Sequence, residues 1–215
     1  MANGNERRLY IAATSQNDGK TSCSIGLLSS LQAFAPAIGF MKPVGQRYVT
    51  VDGADVDEDV VLIHRITGCD CALKQMNPVA VPQYFTRQYL DDPSIHPQLE
   101  QSIRDAFAGI ASQSDLVVIE GTGHAGVGAV FDLSNAQVAR LLDARVIIVT
   151  LGGIGHPVDE IALNRCLFER EGVEVIGVIA NKVLPAKFAQ TREYLGKALA
   201  RMGLPLLGVI PYTSR

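Results

Sequence analysis

The sequence predicts an α/β fold in which a doubly wound, mostly parallel sheet is covered by helices on both faces. Two observations lead to this prediction. Short runs rich in Val, Ile and Leu alternate along the chain with segments of helical periodicity. The runs are apolar at almost every position, which is typical of parallel strands buried on both faces. The 215 residues suffice for one domain with a full core.

The predicted elements alternate in a regular order. The strands are the apolar runs at residues 9–12, 37–41, 115–120, 145–150, 175–180 and 206–210. The helices are the periodic segments at residues 25–34, 60–66, 99–111, 135–142, 158–169 and 188–202. Residues 76–97 are rich in proline and are predicted to be loop or broken helix. We expect one domain over residues 1–215, and the stop at Ser214-Arg215 fits the amino-terminal part of a longer protein.

The composition argues against several classes of partner. With 47% hydrophobic and 19% charged residues, the chain is expected to fold rather than to be disordered. A net charge of −3 provides no attraction to nucleic acid. No apolar run reaches the roughly 18 residues of a membrane span. The amino terminus lacks the apolar core of a signal peptide, so we expect a cytoplasmic protein.

The cysteines predict no metal site. The chain has four of them, at positions 23, 69, 71 and 166. Cys69 and Cys71 form a C-x-C pair, but no second pair follows at the spacing of zinc ligands. We therefore predict reduced, structural thiols, with Cys23 in the core.

The stretch from Ala13 to Thr21 predicts a phosphate-binding loop. It lies between an apolar strand and a helical pattern, where backbone N–H groups at a helix start can hold phosphate oxygens. Lys20 can reach the β- and γ-phosphates, and the Thr21 hydroxyl can bind Mg²⁺. The usual G-x-x-x-x-G-K-[ST] pattern has Gly where this chain has Thr14, so an ordinary turn containing Gly-Lys-Thr is the alternative. The residues expected to bind the nucleotide here are Thr14, Asn17, Asp18, Gly19, Lys20, Thr21 and Ser22.

Three charged residues stand at the ends of predicted strands or at the start of a helix, where they would lie near this loop. Lys42 follows the second strand and can place another cation beside the phosphates; a solvated lysine is the alternative. Glu120 ends a buried strand, and Glu is rarely buried without a partner. Asp59 begins a helix, where it could cap the helix or bind Mg²⁺. We predict that Asp59 and Glu120 complete the coordination of Mg²⁺.

Five motifs occur in one order along nearly the whole chain. They are Ala13 to Thr21, Lys42-Pro43-Val44, Asp59-Val60-Val61-Leu62, Glu120-Gly121-Thr122-Gly123 and Ala180-Asn181-Lys182-Val183. In this order they resemble the dethiobiotin synthetases and the related cobyrinic acid a,c-diamide synthases. That family commonly has Thr at the position of Thr14, so the departure from the usual pattern supports the resemblance.

The resemblance implies a P-loop NTPase fold of the dethiobiotin synthetase type, with ATP and Mg²⁺ as cofactors. It implies that Lys20 and Lys42 are catalytic and that Thr21, Asp59 and Glu120 bind the metal. It also implies a homodimer.

Two further residues bear on the class of nucleotide-binding protein. By the same resemblance, Asn181 would recognise adenine, because an amide offers both a donor and an acceptor to one base edge. Chromosome-partitioning ATPases carry an additional lysine early in the loop. This chain has Ser15 there, which argues against that class.

The substrate side departs from the dethiobiotin synthetases. Residues 45–48 and 122–124 replace the small hydroxyl residues and the Gly-Gly continuation that those enzymes carry. Gln46, Arg47 and His124 suggest a more anionic ligand. His124 could transfer a proton or simply bond to the loop backbone.

The segment Phe40 to Tyr48 is more similar to another branch of the family. That branch is the dethiobiotin-synthetase-like domain at the amino end of long phosphotransacetylases, which also precedes a small regulatory domain with an Asp-Arg-Thr-Gly-Gly motif. We therefore predict a Mg-ATP-binding regulatory or accessory module that also contacts an unidentified small molecule. The alternative is an ATP-dependent ligase that activates a carboxylate or carbamate.

Overall fold

Six parallel strands form the central sheet in the computed structural model of the protein, which describes residues 7–68 and 71–213. The strands of the molecule are β1 (Arg8–Ala13), β2 (Ile38–Met41), β3 (Val44–Gly45), β4 (Tyr48–Val51), β5 (Ala54–Asp57), β6 (Val79–Ala80), β7 (Leu116–Glu120), β8 (Arg145–Leu151), β9 (Val175–Val183) and β10 (Leu206–Pro211). The order in the main sheet is β10-β9-β8-β1-β7-β2, and each neighbouring pair is parallel.

The helices cover this sheet. They are α1 (Lys20–Leu31), α2 (Glu58–Thr67), α3 (Leu73–Met76), α4 (Phe85–Asp91), α5 (His96–Ala111), α6 (Asn135–Leu141), α7 (Gly155–Arg170) and α8 (Phe188–Arg201). None of the helices in the described part of the chain is both long and apolar enough to cross a membrane.

The core lies on both faces of the sheet, as the near-continuous apolar strands predict. Alternate side chains of β1 point to opposite faces. Tyr10 and Ala12 pack in one buried cluster, and Ile11 and Ala13 pack in the other. The predicted fold class is therefore confirmed. Because all six strands are parallel, the residues that follow their carboxyl ends meet at one edge.

Each predicted strand and helix is present, with shifted ends. The first helix begins at Lys20 rather than residue 25, directly after the positive-φ Gly19. The strand predicted to end at residue 180 continues to Val183. The proline-rich stretch contains α4 and ends at α5, where Pro97 occupies the first turn, a position at which proline is tolerated.

A short hairpin and a two-residue strand pair are elements that the sequence analysis did not predict. Strands β4 and β5 are antiparallel and are joined by Asp52 and Gly53, with φ of 51° and 79°. An Asp-Gly turn with two positive φ values suits the twist of a hairpin. Strand β3 pairs in parallel with β6. The hairpin matters for function because both of its ends lie beside residues that were predicted to form the nucleotide site.

Of the predicted thiols, Cys23 is buried in the core, as expected. Cys69 lies outside the described residues, as do Ser214 and Arg215.

Candidate functional site

The segment from Thr14 to Gly19 joins β1 to α1 and forms a tight loop. Gly19 has a φ of 93°, and a Cβ there would lie 2.1 Å from Nδ2 of Asn181. Only glycine fits this close approach. The loop is held from inside by the Asp18 carboxylate, which accepts hydrogen bonds from Oγ1 of Thr14 at 2.8 Å and from the backbone N–H of Ser15 at 2.7 Å. Thr14 is thus accommodated where the usual pattern has glycine.

A second set of contacts holds the same loop from β9. Asn181 donates from Nδ2 to the carbonyl of Asp18 at 2.8 Å. Lys182 donates from Nζ to the carbonyl of Asn17 at 2.6 Å. The backbone of the loop is therefore fixed by partners more than 160 positions away in the chain.

Lys42 lies at the centre of a cluster of carboxylates. It follows β2, is 4% exposed, and donates from Nζ to Oδ1 of Asp57 at 2.8 Å. Its ammonium group also contacts Asp59, and it lies 3.8 Å from Oε1 of Glu120. Burial by itself lowers the pKa of Lys42, but the Glu120, Asp57 and Asp59 carboxylates outweigh burial and raise the pKa above its usual value. Lys42 is therefore a fixed cation, not a solvated lysine.

Glu120 connects this cluster to the phosphate loop. It is fully buried and accepts hydrogen bonds from Oγ1 of Thr21 at 3.0 Å and from Oγ of Ser24 at 2.7 Å. Burial raises the pKa of the Glu120 carboxyl, and Lys42 opposes that shift. Burial also disfavours the charged form of Lys20 and so lowers its pKa, and the negative charge of Glu120 opposes that shift. The site therefore holds desolvated charges of both signs close together.

The phosphate loop and the carboxylate cluster around Lys42 line one cavity of about 280 Å³ at the carboxyl ends of the strands. Most of the predicted site residues line it: Asn17, Gly19, Lys20, Thr21, Ser22, Lys42, Asp59 and Glu120. The other three predicted residues, Thr14, Asp18 and Asn181, are buried behind the loop and do not line this cavity. The Thr14 hydroxyl donates to the Asp18 carboxylate, and the Asn181 amide donates to the Asp18 backbone carbonyl. Contacts of those three with a nucleotide stay predictions.

The predicted metal ligands offer oxygen atoms of the kind that Mg²⁺ prefers. Within residues 7–68 and 71–213, no group of three or more His, Cys, Asp and Glu side chains could hold a metal. Thr21, Asp59 and Glu120 supply one hydroxyl and two carboxylates. Mg²⁺ is commonly bound by one or two carboxylates together with water and phosphate oxygens, so this donor set fits it.

Sequence reasoning missed Asp57 as a partner of the site. Its carboxylate, 1% exposed, accepts from Lys42 and from the backbone N–H groups of Gln46, Arg47 and Asp59. It therefore caps α2 and holds the start of the hairpin at once. The Asp-Gly turn at positions 52 and 53 was the available signal, because it predicts a hairpin that brings Asp57 back to Lys42.

Asn135 is a second missed residue, and it fixes the loop after β7. Its Nδ2 donates to the carbonyls of Thr122 and His124 at 2.7 and 2.6 Å. Its Oδ1 accepts from the Thr122 N–H at 3.0 Å and from the Tyr10 hydroxyl at 2.8 Å. A Cβ at Gly121 would lie 2.5 Å from that oxygen. No local pattern marked Asn135, because its partners come from other parts of the chain.

The substrate-side residues divide into two groups. Gln46 and Arg47 line the cavity, and Arg47 pairs with Glu58 at 3.2 Å on the surface. His124 is exposed, and its Nδ1 accepts from the backbone N–H of Gly126 at 3.2 Å. The backbone-bonded alternative for His124 is therefore the one observed, and the histidine is not part of the cavity lining.

The fold and this loop define a nucleotide-binding domain of the P-loop class. The chain belongs to the family described as an AAA domain (AAA_26), whose sequence model matches residues 7–215. It is a P-loop domain similar to dethiobiotin synthetases.

Three sequence relatives match this chain over most of their own length. The ATP-dependent dethiobiotin synthetase BioD of Xanthomonas oryzae pv. oryzae (strain PXO99A) is 29% identical over 207 residues, covering 94% of this chain and 90% of that protein. The BioD of Aromatoleum aromaticum is 29% identical over 216 residues, covering 97% and 92%. BioD 2 of Salmonella typhi is 25% identical over 214 residues, covering 97% and 88%.

Solved structures at lower identity share the fold. A plasmid partition protein from Borrelia burgdorferi has a TM-score of 0.57 at 14% identity, over 96% of this chain and 90% of that one. The signal recognition particle receptor FtsY from Elizabethkingia anophelis, in complex with GDP, has a TM-score of 0.55 at 12% identity, over 100% and 60%. At such identities the likeness concerns the fold alone.

Proposed function

We propose that the protein binds Mg-ATP in the cavity between the phosphate loop and Lys42. The observation that carries this proposal is the placement of a buried lysine, fixed by three carboxylates, beside the loop that ends in Gly19, Lys20 and Thr21. Lys20 would contact the β- and γ-phosphates, and Lys42 would place a second cation beside them. Phosphoryl transfer depends mostly on such positioning and charge neutralisation.

Magnesium would be held by Thr21, Asp59 and Glu120. When bound, it would neutralise charge on the phosphate oxygens. Lys42 shares Asp59 and Glu120 with that metal site but also contacts Asp57, which is not among the proposed ligands. Lys42 can therefore keep one carboxylate partner when the other two bind Mg²⁺. Asn181 would contact adenine from the end of β9, as the family resemblance implies.

We infer that the natural role is that of a regulatory or accessory module. One observation favours it: Gln46 and Arg47 line the substrate side of the cavity, and His124 bonds to its own loop instead of lining the cavity. The resemblance of residues 40–48 to the amino-terminal domain of phosphotransacetylases supports the same role.

An ATP-dependent ligase is the second candidate. Lys20, Lys42, Asp59 and Glu120 all line one cavity, and relatives of nearly equal length are named dethiobiotin synthetases. A carboxylate or carbamate oxygen would attack the γ-phosphorus, and ADP would leave. A nucleophilic amine would then displace phosphate from the acyl phosphate. Arg47 would favour a substrate that carries a further anionic group.

Phosphate release distinguishes the two roles. We would measure it with Mg-ATP alone and with a panel of carboxylates, each with bicarbonate and an amine, using Lys42→Met as the inactive control. If the protein is a regulatory module, it should bind ATP and release phosphate slowly, and no compound should stimulate that release. A ligase predicts stimulation of wild type, but not of Lys42→Met, by one compound class. Absence of ATP binding would contradict both roles.

A further inference from the structure

Two adjacent residues at the end of β9 reach two adjacent carbonyls of the phosphate loop. Lys182 donates to the carbonyl of Asn17, and Asn181 donates to the carbonyl of Asp18. The Cε atom of Lys182 would lie 3.7 Å from a Cβ at Gly19, so its stem runs along the loop. Lys182 is an exposed residue that also lines the cavity between the phosphate loop and Lys42.

These two bonds fix the direction of the donors that a phosphate needs. The C=O and N–H groups of a trans peptide point in opposite directions, and the described chain has no cis peptide bond. Holding the carbonyls of Asn17 and Asp18 toward β9 therefore turns the N–H groups of Asp18 and Gly19 away from β9. Backbone N–H groups at a helix start are the usual donors to phosphate.

The backbone at both ends of the Lys182 contact is in an uncommon conformation. Asn17 has a φ of 64° and Lys182 a φ of 52°, values in the left-handed region that non-glycine residues seldom adopt. Such conformations persist where surrounding contacts determine them, and they concentrate at ligand-binding sites. The bond from Nζ to the Asn17 carbonyl joins these two positions directly.

We propose that Lys182 is a positioning residue for nucleotide binding: its ammonium group holds the Asn17 carbonyl and so keeps the phosphate loop ready for ATP. The inference rests on the proposed function for its ligand, but the holding of the loop is a property of the ATP-free protein. Asn181 assists from the next position. Lys182 acts through the loop backbone rather than on the reacting atoms.

The test compares Lys182→Met, which keeps the stem but lacks the donor, with Lys182→Arg, which restores it. Lys187→Met, another exposed lysine just after β9, is the matched control. Backbone ¹⁵N relaxation of the ATP-free protein reports the order parameters of the Asp18 and Gly19 amides. Calorimetry reports ATP affinity with and without Mg²⁺.

We expect Lys182→Met to lower these order parameters from about 0.85 to about 0.6. We expect its ATP affinity to fall about tenfold, equally with and without Mg²⁺. Lys182→Arg and Lys187→Met should match wild type in both measurements. Rigid loop amides in Lys182→Met would overturn the proposal, and an affinity loss would then reflect direct contact with phosphate. If wild type binds no ATP, the proposed function fails, and the relaxation result still decides whether Lys182 holds the loop.

Discussion

Glu120 shows at the scale of one residue how burial and function are linked. A fully buried carboxylate is costly unless it is paired. Here Thr21 and Ser24 donate to its two oxygens, and Lys42 lies 3.8 Å away. These partners make Glu120 compatible with the folded protein and also place it beside the predicted metal position. The metal-binding role of Glu120 can be tested separately from its packing, because Gln has nearly the same shape without the charge.

Glu120→Gln is expected to weaken ATP binding only when Mg²⁺ is present. The substitution removes one of two proposed carboxylate ligands, so we expect at least a tenfold loss of affinity with Mg²⁺. Without the metal, affinity should be unchanged or slightly higher, because one negative charge near the phosphates is gone. Calorimetric titrations in magnesium buffer and in EDTA would measure both.

Glu174→Gln provides the matched control, since Glu174 pairs with Arg145 on the surface away from the cavity. It should bind ATP as wild type does in both buffers. Equal losses for Glu120→Gln with and without Mg²⁺ would mean that Glu120 supports the fold and does not bind metal.

At the scale of elements, Asp57 joins β5, α2 and the loop after β3. It accepts from Asp59 as the cap of α2, and from Gln46 and Arg47 at the start of the hairpin. Asn77 supports it by accepting from its backbone N–H at 3.0 Å. One carboxylate thus holds the hairpin, the helix start and Lys42 in a common position.

Asp57→Ala is expected to lower the free energy of unfolding by about 3 kcal/mol, because it removes a helix cap and one partner of a buried ion pair. Asp57→Asn should lower the free energy of unfolding by less, since an amide oxygen can still accept from the N–H groups of α2. Urea denaturation followed by circular dichroism measures both. Asp55→Ala, which alters an exposed residue of the same strand, is the control.

A loss of less than 1 kcal/mol for Asp57→Ala would contradict this account of the hairpin. So would equal stabilities of the Ala and Asn variants, because the cap would then contribute nothing.

Much of the candidate site could be predicted because its residues stand directly after strands. Lys42 and the loop before Thr21 follow β2 and β1, Glu120 is the last residue of β7, and parallel strands bring such positions together. Asp57, Asn135 and Lys182 could not be assigned in the same way. Their importance comes from hydrogen bonds to backbone groups or side chains of distant segments, which no local spacing reveals.

At the scale of the whole molecule, the sheet order explains why the site has two sides. Strand β1 is flanked by β7 and β8, so the phosphate loop lies next to Glu120 on one side. Strand β9, one position further on the other side, delivers Asn181 and Lys182 under the loop. The carboxylate cluster around Lys42 therefore lies on one side of β1, and the residues of β9 that hold the phosphate loop lie on the other.

The sequence predicted the parallel sheet covered by helices correctly, because fully buried strands have a simple apolar pattern. The hairpin β4–β5 was missed since its residues are mostly exposed and give no long apolar run. The helix ends were shifted because caps depend on geometry at single residues, such as the positive φ of Gly19.

The most direct test of nucleotide binding at this loop is a calorimetric titration of the purified protein with ATP in the presence of Mg²⁺, with Lys20→Ala in parallel. Lys20 lines the cavity, so its loss should abolish binding without unfolding the protein. We predict a Kd of about 1 µM, or about −8 kcal/mol, for wild type and no detectable binding for the variant. Equal affinity of the two proteins, or no heat and no thermal shift for wild type, would contradict the assignment of this loop to nucleotide phosphate.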